Sequence, residues 1–146
     1  MATTSATDFS TPAIAPVART RVLGVGGAIV AAVAVWAIAV SLLGVNLVIR
    51  FGSGAPQTIG VGYVLGATLI ASLVGWGLLA MLERRTPRAR SIWTVAALVV
   101  LLVSLSLPLT AGTTGASKVV LALMHIAVAA VLIPALRSGS ARRNRA

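Results

Sequence analysis

VLGVGGAIVAAVAVWAIAVSLL, residues Val22–Leu43, contains no charged side chain and a single hydroxyl, Ser41. A helix needs roughly 20 apolar residues to cross a ~30 Å hydrocarbon core, and this stretch meets that length. Its many Val and Ile residues favour strand in water. In lipid, every backbone group must pair internally, and a helix does this within one segment. The stretch therefore reads as a transmembrane helix. Three more follow at Val61–Leu82, Ile92–Leu109 and Val119–Leu136. The last two are near the lower length limit, with Ser91, Thr110 and Lys118 available to extend them. None shows the period-2 alternation of a transmembrane β-barrel strand. The expected fold is all-α, an integral membrane four-helix bundle made of two in-out-in hairpins.

Composition agrees. The chain has 146 residues, enough for one domain, with 58% hydrophobic and 10% charged residues. A soluble domain carries about 25% charged residues. There is no Cys, which rules out disulfides, Cys-ligated zinc, iron–sulfur clusters and thiol nucleophiles. Flanking the four-span domain at 22–136 are two tails. Residues 1–21 are rich in Thr, Ser, Ala and Pro and are expected to be disordered, and residues 137–146 form a basic tail. The first span is too long for the 7–15-residue core of a signal peptide, so it is expected to stay in the membrane.

Orientation follows from the arginines. Lys and Arg collect on the cytoplasmic side of short loops. Of the 12 Lys+Arg residues, only Arg50 and Lys118 fall in the first and third loops. Arg19 and Arg21, the cluster Arg84, Arg85, Arg88 and Arg90, and Arg137, Arg142, Arg143 and Arg145 fall on the other side. Both termini and the Glu83–Ser91 loop are therefore expected to be cytoplasmic, in a plasma (inner) membrane. An even number of spans demands the same. The net charge of +10 is accounted for by this asymmetry, so nucleic acid is not an expected partner. The expected partner of the basic face is anionic lipid, at ~1 kcal/mol per Arg near the surface.

The inventory for chemistry is short. Asp8 and Glu83 are the only acids, too few for paired acid–base work or a metal clamp. Glu83 is expected to form an interfacial ion pair with an Arg neighbour. His125 is the only His and lies within the fourth span. An ionisable group at that depth is a functional candidate. A polar ring hydrogen-bonded to a neighbouring helix is the structural alternative. The expected partners are Thr68 and Ser72 of the second span or Ser104 and Ser106 of the third, with depth favouring Thr68. One His without other strong ligands does not build a zinc site, and a haem on His125 finds no support, so no cofactor, metal or catalytic residue is assigned.

Small residues at i, i+4 spacing let helices approach closely. Gly62 and Gly66 form such a step, Ala67, Ala71 and Gly75 another, and Gly24, Ala28 and Ala32 a third. Trp93 is placed at the lipid headgroups, and Trp36 and Trp76 between helices.

LERRTPRAR at Leu82–Arg90, followed by Ile92-Trp93-Thr94, and LALMHIAVAAVLIPAL at Leu121–Leu136 resemble a group of small four-helix actinobacterial membrane proteins catalogued as a domain of unknown function. The resemblance covers roughly Arg19–Arg137. Met124-His125 and Ile133–Leu136 are its most specific part. It implies a multi-pass plasma-membrane protein and brings no reaction, cofactor or partner. The function these readings favour is non-enzymatic: a structural, accessory or self-associating bundle that pairs with itself or another membrane protein. The alternative is a small transporter or pore for a neutral or apolar molecule.

Overall fold

The computed structural model describes residues 16–141. Helix α1 spans Pro16–Ala37 and continues through a π-helical turn, Ile38–Leu42. Two short strands follow, β1 (Val48–Ile49) and β2 (Gln57–Thr58). Then come α2 (Val61–Arg85), α3 (Ala89–Ala111) and α4 (Gly115–Ala141). Four helical stretches of 23 to 25 residues are long and apolar enough to cross a membrane. At 1.5 Å per residue they are roughly 34–38 Å long, beyond the ~30 Å hydrocarbon core.

Every helix outruns its sequence estimate. Residues 16–21 and 137–141, expected in tails, are helical. The remaining tail residues, with Asp8, Arg142, Arg143 and Arg145, lie outside the described residues. Polar residues next to an apolar run can continue a helix into the headgroup region, because there water can satisfy the last backbone groups. The stop between α2 and α3 is local. Pro87 disfavours helical backbone at Thr86, which is extended at φ −150° and ψ 140°.

The four helices pack in a ring, with α1 and α3 each lying between α2 and α4. The α1–α4 seam is the closest. Ala28 and Ala32 of α1 are fully or almost fully buried. A Cβ on Gly24 would stand 2.5 Å from Ala135 Cβ. So the Gly24, Ala28 and Ala32 stripe is a contact surface. Gly62 and Gly66 are not: a Cβ on either would meet nothing within 4 Å. The close-packing expectation for Gly66 is corrected here, because that face of α2 points away from the other helices.

The loop after α1 also departs from expectation. Gly44, at φ +64°, ends the π-helical turn. β1 and β2 then pair antiparallel, Val48 opposite Thr58 and Ile49 opposite Gln57. The α3–α4 turn joins their edge. Arg50 N donates to Ala111 O at 2.8 Å, and Thr113 Oγ1 donates to Val48 O at 3.0 Å. Thr114 caps α4 by accepting from Ser117 N at 3.1 Å. Ser117 Oγ in turn donates to Asn46 O at 3.0 Å. The two turns at this hairpin end are thus stitched into one lid.

Candidate functional site

The polar residues inside the helices divide into those already satisfied and those left over. Thr94, Ser104, Ser106 and Thr110 of α3 each donate to a carbonyl three or four residues earlier in the same helix. Such back-bonding satisfies a hydroxyl in lipid without any partner helix. Ser104 and Ser106 therefore do not reach His125. Ser72 of α2 is fully buried, and its Oγ has no hydrogen-bond partner among the described residues.

His125 makes its bond within its own helix rather than across to α2. Its Nδ1 lies 2.7 Å from Leu121 O. A carbonyl only accepts, so Nδ1 carries the hydrogen, and in the uncharged ring Nε2 is an acceptor. Thr68, the expected partner, is 8% exposed, and its hydroxyl has no hydrogen bond among the described residues. The two nevertheless share a site. A cleft of about 160 Å³ between α2 and α4 is lined by Tyr63, Ala67, Thr68, Ala71, Met124 and His125, among others. A second cleft, also about 160 Å³, opens beside it between α2 and α3. Leu107 and Pro108 form its α3 wall, Phe51 its roof, and it shares Tyr63, Ala67 and His125 with the first. His125 therefore stands where the two clefts meet. No Lys, Arg, Asp or Glu lines either one.

Sequence reading named Thr68 and His125 but missed the walls. Pro108 inside α3 and the small residues Ala67 and Ala71 were the available signals. Phe51 and Ile59, from the hairpin loop, gave none.

The opposite end is built differently. Arg21 Nη2 of α1 donates to Glu83 Oε1 of α2 at 2.5 Å, with side-chain exposures of 7% and 14%. Glu83 thus forms the expected ion pair with an Arg, and the Arg comes from another helix. Trp93 is only 3% exposed, so it is not the headgroup anchor expected. Its Nε1 donates to Gly75 O at 2.8 Å, tying α3 to α2. Trp93 packs in one core with Val25, Ala28, Leu79, Leu132 and Leu136. Trp36, by contrast, belongs to the hairpin end, where its Nε1 donates to Ile59 O at 3.0 Å.

This architecture defines a class: four packed helices of membrane-spanning length with one apolar twin cleft and no cluster of metal-ligating side chains among the described residues. Residues 12–142 match the model of a family described as a family of unknown function, DUF6069, and the chain belongs to that family. No curated protein and no solved structure matches it.

Proposed function

We propose that the chain is a non-enzymatic accessory or self-associating bundle of the plasma membrane, with both termini and the α2–α3 turn cytoplasmic. The observation that carries this reading is how the polar groups at membrane depth are used. Four α3 hydroxyls are spent on their own helix. The ion pair Arg21–Glu83 is spent on joining α1 to α2. Acid–base or nucleophilic chemistry needs a positioned base beside a reacting group, and these groups do not supply one. The outward face of α3, including Val95, Val99, Leu102 and Val103, is exposed and apolar, which suits lipid or a second membrane helix.

Extraction of membrane patches with a styrene–maleic acid copolymer, followed by mass measurement, tests association. More than one copy, or a co-purifying membrane protein, is expected; single copies alone would contradict the reading. Orientation has its own test, which the absence of Cys makes clean. An impermeant thiol reagent should label Ser53→Cys in intact cells and leave Arg88→Cys unlabelled. The reverse pattern would invert the topology.

The twin cleft favours a second reading, passage of a neutral or apolar molecule. Against a through-path stands the core of Leu79, Trp93 and Leu136 below it.

A further inference from the structure

The twin cleft has walls that suit hydrocarbon and two side chains that suit a hydroxyl, Thr68 in the first cleft and His125 where the two meet. Thr68 is 8% exposed as a residue, and its hydroxyl is unsatisfied by the protein among the described residues. Buried polar groups are rarely left this way, because each costs free energy until a partner arrives. His125 presents Nε2, whose ring orientation is fixed by the Nδ1 bond to Leu121 O. One group donates or accepts, and the other accepts in the uncharged ring. Both line the same cleft. A ligand hydroxyl can donate to Nε2 and accept from Thr68. A ketone or ester carbonyl can only accept, so it satisfies Thr68 and leaves Nε2 unpaired.

The walls narrow the class further. Each cleft is about 160 Å³, comparable with a ~150 Å³ apolar cavity that holds benzene. The space accommodates a segment of chain, not a whole lipid, so the remainder of the molecule must extend out of the cleft. His125 lies ten residues into α4, so about 15 Å along the helix. A charged headgroup carried to that depth would be costly, and no basic or acidic side chain lines the site to receive one.

We propose that the twin cleft at Thr68 and His125 is a binding site for an uncharged lipid bearing a free hydroxyl, held by that hydroxyl with its chain along the apolar walls. Diacylglycerol is the simplest membrane lipid of this chemistry. In lipid its hydroxyl has few partners at this depth, and the site supplies two. The proposal does not depend on the accessory reading above, since it fits an accessory protein and a transporter equally.

The test uses the full chain in detergent, with 1,2-dioleoylglycerol and its 3-acetyl ester in competition, read by native mass spectrometry. The unmodified protein should retain the free alcohol about five- to tenfold over the capped ester, the worth of one or two hydrogen bonds. Thr68→Val keeps the shape and removes the hydroxyl, and His125→Phe keeps a ring and removes the acceptor. Each should bring the ratio to within about twofold of unity, while melting temperatures confirm that both variants are folded. Equal retention of the two lipids by the unmodified protein overturns the proposal. So does a preference that survives both substitutions, since the alcohol would then bind elsewhere. A second copy filling the cleft is the rival occupant. Ala67→Cys should give no disulfide-linked dimer in oxidised membranes, and dimers that persist when diacylglycerol is added would overturn the lipid assignment. If the protein extracts as an oligomer yet shows no alcohol preference, this proposal fails while the accessory reading stands.

Discussion

The two ends of this helix ring solve the same packing problem in opposite ways. At the end that carries the described termini, small residues bring α1 against α4, and Trp93 and Leu79 fill the interior. At the hairpin end α1 and α4 stay packed through Ala32, Ala39, Leu121 and Met124, but clefts open beside α2, and a lid of loop backbone covers that end. The closed end is tied across helices by Arg21–Glu83 and by Trp93 Nε1 to Gly75 O. The open end keeps Thr68 and His125 lining a cleft. In lipid there is little hydrophobic force between helices, so a seam closes only where side chains are small enough or bonds are specific enough. Where neither holds, a space remains for something else.

The largest expected effect is at the closed end. Arg21→Ala removes the Arg21 cation from Glu83, whose side chain is 14% exposed. Removing one partner of a buried pair costs about 3–5 kcal/mol, and thermal melting in detergent should register it. A loss under 1 kcal/mol would mean that the pair is solvated and does not seal this end.

Next comes Gly24→Ala, whose new Cβ would lie 2.5 Å from Ala135 Cβ. Overpacking of this kind costs about 1–3 kcal/mol. The double variant Gly24→Ala with Ala135→Gly should recover part of the loss, because the two sites couple through contact. Gly66→Ala is the matched control. It faces open space and should be neutral or slightly stabilising through helix propensity. Similar losses at Gly24 and Gly66 would erase the contrast between the seam and the open face.

Trp93→Phe removes the indole N–H donor to Gly75 O and should cost ~1 kcal/mol from the lost bond. The smallest effect belongs to Thr68→Val, which deletes a hydroxyl with no hydrogen bond among the described residues. With no lipid bound, melting should be unchanged or raised by a few tenths of a kcal/mol. A marked destabilisation would show that Thr68 has a protein partner and that the cleft is less open than described.

The four spans were legible because a long uncharged run has few physical outcomes in lipid. The close α1–α4 seam was legible only as one of several small-residue spacings. Gly62 and Gly66 have the same pattern as Gly24 and Ala28, and nothing in the chain order says which face meets a neighbour. The Glu83 ion pair was legible, but the helix that supplies its Arg was not, because sequence order shows only the adjacent Arg84 and Arg85. Arg21 reaches it from another helix, a contact 62 residues apart in sequence. Trp93 sits where an interfacial ring belongs by sequence, yet a carbonyl on α2 draws its N–H inward. His125 and Thr68 were both named, but as partners of each other. Their separate disposition around one cleft depends on how far α2 stands from α4, and no local pattern encodes that distance.

Photolabelling of the unmodified protein by a lipid carrying a diazirine along its acyl chain tests the contrast between the two ends most directly. The carbene inserts into whatever side chain the hydrocarbon touches, and mass spectrometry assigns the adducts. Adducts are expected at Ala67 and His125, inside the twin cleft, and none at Leu79 or Leu136, which are fully buried at the closed end. Labelling of Leu79 and Leu136 without labelling of His125 would contradict the account.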